Sequence, residues 1–130
     1  MTEWLAGMRI TADRLADDLP GDWQDVTFNQ WTQGDQSYAP LRAQRHGRRA
    51  RLDGHARPSA SFTGSQIAFT VPAELTPTYQ IYVDVPRITA GSPSLIGAFV
   101  APNGEVTVYT STSIGTSDRY WFGAVEWALD

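Results

Sequence analysis

Cysteine is absent from the 130 residues, and so is lysine. The first absence excludes disulfide scaffolds, thiolate metal sites and cysteine nucleophiles. The second leaves ten arginines and two histidines against fourteen carboxylates, a net charge of −4. A chain of that sign lacks the broad basic footprint of a nucleic-acid-binding protein, so no nucleic-acid partner is expected. Long apolar runs are missing too. Nothing approaches the roughly 18 residues of a membrane-crossing helix, and no membrane insertion is expected. The opening MTEWLAGMRITADRL has neither a basic start nor an apolar stretch, so no signal peptide is expected. If a protein with such a start ends up outside a cell, lysis or assembly into a particle takes it there.

Chemistry-bearing constellations are also scarce. The only histidines are His46 and His55, and only Asp53 lies close to them in sequence. There is no Gly-x-Ser-x-Gly elbow and no phosphate-binding loop. Paired carboxylates for glycosidic cleavage could be distant in sequence, but Asp22, Asp25, Asp35, Glu74, Glu105 and Asp118 sit mostly near turns, where a carboxylate usually faces water. The expectation is a protein that is not an enzyme, with no metal and no cofactor.

What is present is period-two patterning. Val26 and Phe28 alternate with polar neighbours, as do Ile67, Phe69 and Val71, then Ile81, Val83 and Val85, then Val106 and Val108. Turn residues such as Pro58, Gly64, Pro72, Pro77, Pro86, Gly91, Pro93 and Gly115 fall between these runs. Short alternating segments broken by Gly and Pro predict an all-β, antiparallel β-sandwich or jelly roll of about eight strands. Asn103-Gly104 predicts a hairpin with positive φ at both residues. Arg49 to Arg57 alternates without a break and predicts one strand, and Tyr120 to Leu129 predicts another.

The first 22 residues differ from the remainder, residues 23–130. Thr11 reads as an N-cap, Asp13 suits the first turn, and Ile10 and Leu15 have the spacing of a hydrophobic staple, so a short helix is expected. Such a helix needs a surface to dock on. Trp4, Leu5, Met8, Ile10 and Leu15 supply the apolar contact of an attachment segment.

Two groups of residues stand out in the sandwich region. Between residues 42 and 57, six arginines meet a single carboxylate, Asp53. Alternation would place Arg49, Arg51, Asp53, His55 and Arg57 on one face, a candidate contact between subunits or with an anionic partner. The second group is aromatic: five each of Trp, Tyr and Phe is more than a small core needs. Trp31, Tyr38, Tyr79 and Tyr109 are candidates for stacking on a ligand, with Tyr82 and Tyr120 of the same type. Adjacent Trp121 and Phe122 would point to opposite sides of a strand, which is most cheaply explained if Trp121 meets another subunit.

The order of these segments resembles the C-terminal domains of tail-fibre and minor tail proteins of phages and prophages, particularly those of actinobacteria. The parts are Trp23-Gln24-Asp25-Val26, Phe28-Asn29-Gln30-Trp31, Arg51-Leu52-Asp53-Gly54, Phe69-Thr70-Val71-Pro72 with Pro77, Pro102-Asn103-Gly104-Glu105-Val106, and Val125-Glu126-Trp127. Ile10 to Leu15 is similar to the Thr-Ala-x-x-Leu stretch that often precedes them. Gln30 stands where that family usually has glycine, and the arginine density is unusual. The resemblance implies a homotrimeric sandwich in a virion, attached through its N-terminal segment to other virion proteins. Its loops would face a host cell-surface glycan or protein, and no cofactor would be used. A free-standing carbohydrate-binding module and a capsid-decorating or head-fibre protein are the alternatives.

Overall fold

The computed structural model describes residues 20–34, 38–88 and 94–129. The helix expected to start at Thr11, and the attachment residues Trp4, Leu5, Met8, Ile10 and Leu15, lie outside the described residues.

The described chain is built of short strands. They are β1 (Gln24–Asp25), β2 (Thr27–Phe28), β3 (Trp31–Gln33), β4 (Arg42–His46), β5 (Arg49–Asp53), β6 (His55–Pro58), β7 (Phe62–Thr70), β8 (Ile81–Pro86), β9 (Leu95–Val100), β10 (Glu105–Ile114), β11 (Tyr120–Trp121) and β12 (Glu126–Ala128). A 3₁₀ turn, Ala73–Leu75, is the one helical piece among the described residues. The strands form a four-stranded sheet, β1-β4-β5-β12, a five-stranded sheet, β2-β7-β10-β9-β8, and a small three-stranded sheet, β11-β6-β3. Every pairing between named strands is antiparallel. The all-β sandwich expected from the patterning is the fold.

Period-two burial accounts for the core. On the four-stranded sheet Ala43, Ala50, Leu52 and Trp127 turn inward. On the five-stranded sheet Phe69, Val85, Ala98, Val100, Val106 and Val108 do so. The small residues of the first set leave room for large rings in the same cluster. Phe69 and Phe122 meet edge to face at 5.1 Å between ring centres, a geometry worth about 1 kcal/mol beyond area burial. Trp127 donates its Nε1–H to the Leu75 carbonyl at 2.8 Å, so its one polar atom is satisfied in the interior.

Three local expectations are corrected. The stretch Arg49 to Arg57 is two strands in different sheets. At Gly54 φ is +106°, and a Cβ there would lie 2.1 Å from the Pro40 carbonyl oxygen. The chain therefore bends at a residue that only glycine can fill, and the alternation breaks there. The closing stretch is likewise divided into β11 and β12 by a turn over residues 122–125, where the Val125 N–H donates to the Phe122 carbonyl. The β9–β10 hairpin exists, but Asn103 has negative φ and Gly104 alone is positive, at 89°. Gly104 N donates to Ala101 O, Ala101 N donates to Glu105 O, and Asn103 Oδ1 accepts from the Glu105 amide. That is a three-residue loop closed by a glycine bulge, the solution a Pro at 102 favours because its fixed φ starts a type I turn.

Candidate functional site

The bend at Gly54 separates the residues expected on one charged face. Arg49 and Arg51 are exposed on the four-stranded sheet, and Asp53 is half-buried at the end of the same strand. His55 instead turns inward and is fully buried. Its Nδ1 lies 2.8 Å from the Ala39 carbonyl oxygen. A carbonyl only accepts, so Nδ1 carries the proton. The Tyr38 ring packs edge-on against the imidazole at 5.0 Å. His55 thus pins the segment before β4 to β6 and is no part of an exposed face. Arg57 belongs to the three-stranded sheet, where it donates to the Thr116 carbonyl at 3.2 Å. Among the described residues no group of His, Asp and Glu gathers as a metal site would require.

Trp31 is also corrected. It is 1% exposed. Its indole is boxed in by Phe62, Tyr120 and Phe122 at 6.3, 5.6 and 6.1 Å, and its Nε1–H donates to Gln66 Oε1. No ligand can stack on it. Trp121 is half-buried, with its indole over the backbone of Gly123, while its neighbours Tyr120 and Phe122 both face inward. The rings on either side of Trp121 therefore belong to one core.

Two surfaces remain. The first is the outer face of the five-stranded sheet, where a line of rings crosses three strands. Tyr82 and Phe99 are register partners, 5.7 Å apart. Tyr109 stands 6.2 Å from Phe99 and lies across Gly97, where a Cβ would meet the ring at 2.4 Å. Gly97 is thus the residue that lets a phenol ring lie flat on the sheet. Tyr82 is 67% exposed, Tyr109 40% and nearby Leu95 66%. Tyr38 and Tyr79 are exposed as well, though Tyr38 leans on His55. Tyr82 and Tyr109 were named from sequence as possible stacking rings, whereas Phe99 between them was not. Its signal is a ring at an outward position of two paired strands, which requires the register.

The second surface is the outer face of the four-stranded sheet. Trp23 lies under two guanidiniums, those of Arg42 and Arg51, at 5.3 and 5.2 Å from the ring centre. Arg51 Nε donates to Gln44 Oε1 at 2.8 Å, and Gln44 Nε2 donates to the Gly21 carbonyl at 2.8 Å. The buried Gln44 is therefore satisfied at both ends. Beside this array a cleft of about 160 Å³ is lined by Trp23, Arg51, Leu52, Asp53 and Gly123. Arg49, two residues away, pairs with Glu126 at 3.1 Å.

A second cleft, of about 220 Å³, opens along β9 and β10, with the Arg87–Asp118 ion pair at 3.6 Å among its walls. Tyr120 also lines it. Burial raises the Tyr120 phenol above its ordinary value, the Asp118 carboxylate adds to the rise, and Arg87 opposes it.

No protein-family model matches the sequence, and no curated protein does. Solved structures do match. The receptor-binding protein gp15 of Listeria phage PSA superposes with a TM-score of 0.68 at 11% identity, over 92% of this chain and 70% of that one. The head domain of the lactococcal phage bIL170, described among lactococcal receptor-binding domains, gives 0.63 at 17% identity, over 84% of this chain and 98% of its own. Both come from phages of hosts other than the actinobacteria suggested by the sequence resemblance. At such low identity the common ground is architecture, and the chain has the fold of the receptor-binding head domains of phage tails.

Proposed function

We propose that the chain is a receptor-binding module of a phage tail. It acts in the virion as a homotrimer, is joined to other virion proteins through residues 1–22, and presents residues 23–130 to the host surface. The observation that carries this reading is the fold shared with two receptor-binding heads over most of the chain. The N-terminal segment, distinct in sequence and rich in apolar residues at Trp4, Leu5, Met8, Ile10 and Leu15, supports attachment there. No catalytic step and no cofactor are proposed.

The closing strand supports the trimer less, because the outward Trp121 is half-buried against the backbone of Gly123. The ring-bearing face of the five-stranded sheet takes over that role. A contiguous aromatic face on a soluble protein marks a contact surface, and Tyr82, Leu95, Phe99 and Tyr109 supply one. Mass measurement in solution checks the trimer, and antibody labelling of particles in the electron microscope checks the location. Label on tail tips and adsorption of the purified protein to host cells are expected. A stable monomer at micromolar concentration would sink the trimer, and particles unlabelled at the tail would sink the location.

A further inference from the structure

The cleft beside Trp23 contains opposite charges that do not neutralise one another. Arg42 and Asp53 are register partners across β4 and β5, yet no ion pair within 4.0 Å joins them, nor does one join Asp53 to Arg51. Both guanidiniums rest on the indole of Trp23 instead. An aromatic face steadies a cation without cancelling its charge, whereas a carboxylate cancels it. Arg49 shows the alternative on the same strand: its charge is spent on Glu126. The bond from Arg51 Nε to Gln44 fixes the guanidinium plane, and among the described residues its two terminal nitrogens have no hydrogen-bond partner. Orientation is thus provided, and the outer donors are left over.

We infer that this cleft is a binding site for an acidic sugar unit, in which an oxyanion sits beside a hydroxyl. The oxyanion, a phosphate or a carboxylate, takes the free edge of Arg51 with Arg42 behind it, because a planar fork of donors matches such oxygens. The hydroxyl donates to Asp53. That carboxylate also gives selectivity, since it repels a bare anion that offers no hydroxyl in return. At about 160 Å³ the cleft is smaller than the roughly 300 Å³ at which drug-sized pockets begin. It therefore takes one unit, with the rest of a polymer lying outside. This deepens the receptor-binding reading and rests on it for the source of the ligand, a charged polymer on a cell surface.

The test is calorimetric titration of the full chain at low salt with glucose 6-phosphate, glucuronate, glucose and inorganic phosphate. One or both acidic sugars should bind, and which one does distinguishes phosphate from carboxylate. Glucose and inorganic phosphate should bind at least about tenfold more weakly. Arg51→Gln should lose about tenfold or more, while Arg49→Gln, which lies outside the cleft, should bind as the parent does. Asp53→Asn should bring inorganic phosphate closer to the acidic sugars, a gain that a misfolded variant cannot produce. The inference is overturned if neither acidic sugar binds, if Arg49→Gln and Arg51→Gln weaken binding equally, or if Asp53→Asn leaves phosphate unchanged. Adsorption of labelled Arg51→Gln to host cells separates the two levels. Full adsorption by a variant that has lost sugar binding rejects this site and leaves the receptor-binding reading standing.

Discussion

The two large sheets obey one rule on their inner faces and diverge on their outer ones. Inside, Ala50, Leu52 and Trp127 on one sheet and Ala98, Val106 and Val108 on the other are all buried at every second position. Outside, the four-stranded sheet shows Arg42, Arg49, Arg51 and Glu126, while the five-stranded sheet shows Tyr82, Phe99 and Tyr109. Core burial scales with apolar area and is indifferent to what stands on the other side of the strand. The outer faces are therefore free to differ, and their difference is where a partner can be recognised: charge that is oriented but not neutralised on one side, flat rings on the other.

The comparison depends on the bend that assigns the arginines to their sheet, so breaking the bend should have the largest effect. Gly54→Ala forces positive φ on a residue with a Cβ and drives that atom into the Pro40 carbonyl. We expect a loss of about 3 kcal/mol or more, read as a fall in the urea midpoint. A variant as stable as the parent would show that the bend is not required. Next comes the shared interior. Trp127→Phe removes the donor to the buried Leu75 carbonyl and part of the ring, and should cost about 2–3 kcal/mol in the same measurement.

The outer faces are separated by a milder pair of substitutions. Tyr82→Ser combined with Tyr109→Ser should change protomer stability by about 1 kcal/mol or less but shift the mass in solution toward monomer. Arg51→Gln should leave that mass alone. If both sets dissociate the assembly, the division of labour between the faces is wrong. The smallest expected effect concerns alkaline pH. The folded-state pKa of Tyr120 is raised above 10.0, so its contribution to stability is fully present below pH 10 and is lost as pH rises through the folded value. Tyr120→Phe should flatten the loss of stability above pH 10 in pH-dependent unfolding, and an unchanged slope would remove Tyr120 from the account.

Much of the interior was legible in the sequence. Phe69, Val85, Val106 and Val108 were recognisable as inward-facing from alternation alone, because strand geometry sends every second side chain to the same side. The site was legible only in part. Arg51, Asp53 and Tyr109 were singled out and stand on the two candidate surfaces. Trp31 was singled out and is core, because a tryptophan's composition says nothing of which side of a strand it takes. His55 was placed with the arginines because alternation was carried through Gly54, and a φ of +106° resets it. Trp23 is the residue that pattern reading could least assign. It lies outside every strand, and its role comes from guanidiniums on β4 and β5, nineteen and twenty-eight positions further along the chain.

By itself the sequence determined the class of fold, the spacing of turns, the absence of thiol chemistry and the excess of arginine in one segment, because each follows from local stereochemistry or composition. Only the tertiary structure decided which rings are core and which are surface, where the arginine segment divides, and which cations remain unneutralised. Those depend on register and on contacts between residues distant in sequence, and strand pairing is fixed by the burial of the whole sandwich, not by any one stretch of it.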